Sequence, residues 1–344
     1  MKPYGIVSDL HFHSWSAFSR PVKPGVGSRL QAIADELVRA AEVLKSEGGD
    51  QLYVAGDIFH VRGSIQTEVA NVATLAFSEI ANMGVGVRAI FGNHDISDRT
   101  GNWAGNAVST LELAGVYCVG GPHYFDDDNV FMIPWVESVK ELRKMLGAYG
   151  QSHSGADVIM HAPLNGVIRG IPATGLEPSQ IEKLGFKRIF SGHYHNHVNF
   201  NDRVFSIGAT CHQTWSDPGT KAGFLIVTPD AVTHHPTQAP LFVDYDPAHP
   251  EMVQGNFVRY KTKASSQTEI AKYRQALEQL GALDVVIHPV PDPNKGQRTN
   301  ATVQSGASLQ QSIGDFVNSY KNYADPSALS AYCLDIMSEV ESMR

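Results

Sequence analysis

Short apolar runs that end abruptly in polar residues recur along the N-terminal two thirds of the chain. YGIVS (4–8) has the continuous apolar character of a buried strand and stops at DLHFH. RLQAIADELVRAAEVLKSEG, from Arg29, repeats apolar residues at helical spacing, with Ser28 as candidate cap and a glycine stop. QLYVA (51–55) is the next strand and runs into GDIFH; a helix follows over 67–82, then VGVRAIF and GNHD. NVFMIPW and DVIMHAP (157–163) read as strands on either side of the helical stretch ESVKELRKMLGAYG. RIFSGHYH (188–195) is again an apolar strand, a glycine and histidines, and RVFSIGAT and AGFLIVT alternate as strands do. Buried strands alternating with helices predict an α/β sheet covered on both faces. Ligands of such sheets gather beyond the carboxyl ends of the strands, where the polar clusters of this chain fall.

The pattern changes near DYDPAHPEMVQG (244–255), which reads as a linker. Beyond it, NFVRYKTK, an amphipathic helix at 267–280 and LDVVIHPV predict a small α+β unit. An exposed loop is expected over 292–308, and two helices end the chain. The expected domains are 1–245, 251–300 and 307–344.

Composition narrows the class. At 344 residues, with 42% hydrophobic and 18% charged residues, the chain has the balance of a globular protein of more than one domain. A net charge of −8 argues against a generally basic nucleic-acid-binding surface, while leaving room for a local groove. Cys118, Cys211 and Cys333 are odd in number and far apart, which suits a reducing compartment and neither a disulfide framework nor a zinc ribbon. The N-terminus has no charged-then-apolar signal pattern, and no apolar run approaches the ~20 residues of a membrane span. The expected home is the cytoplasm.

The candidate chemistry sits at the strand ends. GHYHNH places His193, His195 and His197 at alternate positions, and neutral imidazole is a common metal ligand. Five clusters follow strands in order: Asp9 and His11; Asp57; Asn93 and His94; His161; His193 and His195. A lone GD or GNH usually marks a turn. Five in series point to a metal site.

These clusters, standing as DLH, GDIF, GNHD, MHAP and GHYH over residues 6–212, resemble the calcineurin-like metallophosphoesterase superfamily. The resemblance implies a two-sheet αββα core and two divalent ions, manganese first, with iron or zinc as alternatives. Two ions about 3.5–4 Å apart clamp the attacking and leaving oxygens of an in-line phosphoryl displacement. By resemblance Asp9, His11 and His195 hold the first, Asn93, His161 and His193 the second, and Asp57 bridges them. His94 would face the phosphate and assist the leaving oxygen. Asp95 could orient its imidazole or simply form the turn.

SDLHFH and AGDIFH are similar to the SbcD-type nucleases of double-strand-break repair and recombination, in which the histidine at the position of His60 helps place the DNA phosphate. GDIFHVRG and GNHD depart from the GDxVDRG and GNHE of protein Ser/Thr phosphatases. The branch implies a metal-dependent exonuclease and single-strand endonuclease acting on DNA, a small capping domain over 251–300, a homodimer, and an SbcC-type coiled-coil ATPase docked on helices within 307–344. Those helices could equally cover the core. Arg20, Lys23 and Arg29 of the 13–29 loop are candidate substrate contacts, and Trp15 and Phe18 are candidates for stacking on a base or for packing. His13 and His197 lie beside ligands, His212 is expected near the site, His234 and His235 on an exposed edge strand, and Asp126, Asp127 and Asp128 in a solvated turn. A small-molecule phosphodiesterase or nucleotidase on the same fold is the alternative, with a closed pocket. A metal-free scaffold should have lost ligands.

Overall fold

A computed structural model describes residues 2–97, 105–263, 266–290, 308–319 and 325–342. The loop expected over 292–308 therefore lies almost wholly outside the described residues. The chain divides into two compact units, Met1–His288 and Pro289–Arg344.

Two six-stranded mixed sheets form the body of the first unit. One orders its strands Val232–Pro236, Gly223–Val227, Tyr4–Val7, Gln51–Ala55, Gly86–Ile90 and Val116–Val119. The other orders Val198–Asn199, Val204–Ser206, Arg188–Gly192, Asp157–His161, Val130–Ile133 and His123–Phe125. Four strands run parallel in each, Tyr4–Val7 through Val116–Val119 and Val204–Ser206 through Val130–Ile133.

Side-chain alternation explains the layering. Tyr4, Ile6, Tyr53 and Ala55 face Ile159, Phe190 and Phe205 across the space between the sheets. Val7, Leu52 and Val54 point the other way, under the helices Ser28–Ser46 and Thr67–Asn82. Val158 and Met160 pack beneath the helix Val139–Ser152. With both faces covered, the strands read as continuous apolar runs. The architecture is the αββα sandwich.

Local details differ from the sequence reading. Gly27 is the N-cap of the helix Ser28–Ser46; Ser28 is its first residue, and its hydroxyl accepts from the backbone N–H of Arg20 (3.0 Å). Ser138 caps the helix Val139–Ser152 through the Glu141 N–H. Asp127 and Asp128 are not idle in solvent: both pair with Arg88 at 2.6 Å, and Tyr53 donates to Asp128 (2.6 Å).

A three-stranded sheet, Phe242–Asp244, Phe257–Thr262 and Asp284–Pro289, carries the helix Gln267–Gln279 and a small core of Val243, Val253, Val258, Leu277 and Val285. Its first strand precedes the expected linker, and the sheet belongs with the Met1–His288 unit. A capping box, Ser266 with Glu269, starts the helix. Phe18, Trp215, Phe242 and Phe257 form an aromatic cluster joining the sheet to the sandwich. In the second unit the helices Leu309–Ser319 and Pro326–Ser342 pack on each other. Among the described residues no helix is long and apolar enough to cross a membrane.

Candidate metal centre

The parallel strands Tyr4–Val7, Gln51–Ala55, Gly86–Ile90, Asp157–His161 and Arg188–Gly192 deliver their polar ends to one place. Asp57 is the hub. Its Oδ1 accepts from the His94 N–H (2.8 Å), which leaves Oδ2 facing Nε2 of His161 (3.4 Å) and Nε2 of His11 (3.8 Å). On one side of it, Nε2 of His11 also lies 3.9 Å from Asp9 Oδ1 and 3.3 Å from Nε2 of His195. On the other, Oδ1 of Asn93 lies 3.2 Å from Nε2 of His161 and 2.9 Å from Nδ1 of His193. All seven residues expected to ligate are brought together, in two groups that share Asp57.

Hydrogen bonds set which nitrogen each imidazole presents. His161 donates from Nδ1 to the Ala55 carbonyl (2.7 Å) and His195 from Nδ1 to Asp217 Oδ1 (3.1 Å), so both turn Nε2 inward. Nδ1 of His11 meets Nδ1 of His60 (3.3 Å), which again directs Nε2 into the site. Trp135 stacks on His193 with ring centroids 5.2 Å apart. A fixed tautomer held by an outer partner is the usual arrangement around a ligating histidine.

The backbone is bent to the same end. Asp9 (φ 50°), His11 (φ 48°), Asp57 (φ 52°) and His193 (φ 101°) all lie in the left-handed region, which non-glycine residues rarely adopt and which costs on the order of 1–3 kcal/mol each. Gly92 is required by contact: a Cβ there would come within 2.1 Å of Asp57 Oδ1 and 2.5 Å of Asp57 N.

One buried atom tests whether these residues suit a cation. Oδ2 of Asp9 accepts from Ser8 Oγ (2.6 Å) and the His193 N–H (3.0 Å), but Oδ1 is buried with no hydrogen-bond partner. An unsatisfied buried carboxylate oxygen is costly unless a positive charge completes it. Asp9, His11 and His195 present atoms close enough for one ion, as do Asp9, Asp57 and His161. Mixed nitrogen and oxygen donors suit a divalent transition metal. The donor set fits.

Electrostatics agree. Burial favours a neutral Asp57, yet His161, followed by His11 and His94, outweighs it and holds the carboxyl well below its usual range. Burial pushes Asp9 upward. Burial also keeps His11 well below the ordinary imidazole value and, with His161 beside it, takes His193 down to about 3. Both offer neutral nitrogens.

His94 and His60 stand beside the donors. Their rings stack at 5.5 Å and 17°, and His94 Nδ1 lies 2.7 Å from the His60 carbonyl. That carbonyl, rather than Asp95, orients the His94 ring. Asp95 is buried, and its carboxylate accepts from the N–H groups of Ile58 (3.2 Å), Phe59 (2.9 Å) and Gly92 (2.8 Å), tying the two loops that carry Asp57 and Asn93. Burial, with Asp57 nearby, pushes its pKa up to about 7.

Other expected contacts are placed elsewhere. Arg29 is buried, donates to the carbonyls of Ala17 (3.1 Å) and Gln213, and lies over the rings of Trp15 and Phe242. Arg20 donates to the Leu283 carbonyl (2.6 Å) and Phe18 sits in the aromatic cluster. Lys23 reaches Gln31 (3.2 Å). Trp15 packs against His60 at 4.6 Å, with His13 beside both. His197 donates to the Ser206 carbonyl (2.9 Å) and stacks on His234; His212 accepts from the Phe242 N–H (3.1 Å) and contacts Thr220. Asp217 and Trp135 are the supports that sequence reasoning misses.

A parallel-stranded sandwich with paired donor groups sharing one aspartate at its strand ends is the architecture of a metallophosphoesterase. A family model described as calcineurin-like phosphoesterase matches residues 2–197, more than half of the chain, and the chain belongs to that family. Exonuclease subunit 1 of Enterobacteria phage T4 is 26% identical over 197 residues, 55% of this chain and 56% of that protein. The chain thus spans little more than half the length of this curated relative. Among solved structures, a dimetal phosphatase from Danio rerio is similar at 11% identity over 65% of this chain and 91% of its own, with a TM-score of 0.43. The Pseudomonas putida nuclease MPE is similar at 15% identity over 59% of this chain and 66% of its own, with a TM-score of 0.28.

Proposed function

We propose that this phosphoesterase is a DNA nuclease of the SbcD type, hydrolysing phosphodiester bonds with two divalent ions, manganese first. The observation that carries the reading is the position of His60, whose ring joins His11 and His94 in one cluster at the mouth of the donor set. The 26% identity to a phage protein named as an exonuclease subunit supports it.

In this reading Asp9, His11, Asp57 and His195 would hold one ion, and Asp57, Asn93, His161 and His193 the other. When bound, the ions supply charge neutralisation at the phosphate and lower the pKa of an attacking water. The chain's own contribution is orientation and proton handling. With Nδ1 donating to the His60 carbonyl, His94 has Nε2 available to carry a proton to the leaving oxygen. His60, its pKa drawn down to about 4 by burial and by His94, is neutral at physiological pH and fixes the His11 tautomer. The helices Leu309–Ser319 and Pro326–Ser342 would dock a coiled-coil ATPase, and the nuclease would act as a homodimer.

The test uses purified protein and a His94→Ala variant, manganese, end-labelled single- and double-stranded DNA, and bis-p-nitrophenyl phosphate in parallel. DNA cleavage that falls about 10²–10⁴-fold in the variant is expected. Hydrolysis of the small diester alone, with and without an ATPase from a neighbouring gene, would replace the nuclease by a small-molecule phosphodiesterase. Sizing the protein with and without that ATPase tests the dimer and the docking.

A further inference from the structure

We propose that the cavity on the His193 side of the centre is a subsite for the phosphodiester that flanks the scissile bond, with Arg169 as its phosphate contact. The proposal rests on the nuclease reading above and specifies where the strand runs. The cavity, about 660 Å³, is bounded by the turn 167–169, the stretch 193–196 and the turn 216–220, and both His193 and His195 line it. It therefore adjoins two of the expected metal donors, and its size lies within the roughly 300–1,000 Å³ typical of ligand sites.

Charge selects the ligand. The chain carries −8 overall, so a phosphate strand must be held by cations placed locally. Near Trp15 and His60, Arg29 is buried under aromatic rings and Arg20 is bound to a carbonyl of the small sheet. Arg169 is the one Arg or Lys among the described residues lining the cavity; it is exposed, with no hydrogen-bond or ion-pair partner among the described residues.

Its turn is anchored at the base. Leu164 bridges Leu176, the Asn165 N–H donates to the Leu176 carbonyl (2.9 Å), and Asn165 Oδ1 accepts from the Gly175 N–H (2.8 Å). Val167, two residues before Arg169, is buried in the core beneath. The guanidinium is thus presented from a fixed loop, and its planar fork matches a phosphodiester. Tyr194 lines the same cavity with its ring 4.9 Å from His193, a π-face on which a neighbouring base can stack without sequence preference.

The test compares kcat/KM for a short single-stranded oligonucleotide with that for bis-p-nitrophenyl phosphate, which has no flanking phosphodiester. Arg169→Ala should lower the oligonucleotide value about 10- to 100-fold and the small-diester value far less. It should also flatten the dependence of log KM on log salt by about 0.7, the signature of one lost phosphate contact on a single strand. Arg169→Lys should restore the slope, and Lys144→Ala, an exposed cation of the helix Val139–Ser152, should not change it. Equal losses on both substrates, or an unchanged salt slope, overturn the subsite while leaving the nuclease reading intact. A wild-type protein that hydrolyses only the small diester overturns both.

Discussion

Asp217 holds His195 and the following turn with one carboxylate. Oδ1 lies 3.1 Å from His195 Nδ1, while Oδ2 accepts from the backbone N–H groups of Gln213 (2.6 Å) and Thr214 (2.7 Å). Burial opposes its charge, but His195 and those two N–H groups keep its pKa below the usual value, so it stays ionised and the tautomer of His195 stays fixed. Removing such an outer partner typically costs 10–100-fold in metal affinity or activity. Asp217→Ala should therefore raise the manganese concentration for half-maximal hydrolysis by that factor, with most of kcat recovered at saturating metal. An unchanged half-saturation would leave Asp217 only the bracing of its turn.

Gly92 and Asp57 approach too closely for any side chain on Gly92. An added Cβ would meet both the backbone nitrogen and the carboxylate of Asp57, neither of which can yield without moving the shared donor. Gly92→Ala should reduce hydrolysis at least about 100-fold, since displacement of a reacting group by ~1 Å has costs of that order. Manganese affinity, followed by calorimetry, should fall with it. A variant that binds metal as the wild type does would show that the loop can retreat.

Between the sheets, Asp157 accepts from Arg188 Nε (2.9 Å), Arg188 Nη2 (2.6 Å) and Tyr4 Oη (2.6 Å), all three residues being buried. Removing one partner leaves an uncompensated charge in a low-dielectric layer. Asp157→Ala should destabilise the protein by about 3–5 kcal/mol in urea unfolding. A loss below roughly 1 kcal/mol would mean that water reaches Arg188 there.

How much of this was legible depends on where each residue sits. The seven expected donors and His94 follow apolar strands, and in a sheet covered on both faces the strand ends are where polar residues collect. The covered α/β sheet was legible for the same reason, whereas the division into two sheets came only from the resemblance of the motifs, because an apolar run does not say which sheet its strand joins. Arg29 looks like a substrate cation in a loop, yet it shares a helix face with Ile33 and Leu37, and the phase i, i+4 takes it inward. Asp217 lies in a turn with no strand or motif to mark it. The strands Val116–Val119 and His123–Phe125 are too short to show a period. Asp95 looks like a partner of the adjacent His94, but its three acceptor contacts are backbone groups, which leave no trace in side-chain spacing.

His234 provides a pH probe away from the donor set. Its ring stacks on His197 at 4.4 Å and 7°, and its Nε2 is buried without a partner. Burial, then His197, Lys221 and His235, draw its pKa from 6.5 down to about 4. The unfolded chain thus binds this proton more readily than the folded one. The contribution is fully present above pH 6.5 and is lost as pH falls from 6.5 toward about 4. Because the ring is only half-buried, solvent screening brings the effect to the order of 1 kcal/mol. His234→Leu should therefore flatten the fall in Tm between pH 6.5 and 4 relative to wild type, leaving Tm above that window little changed. Parallel Tm curves would show that the pair accommodates the charge.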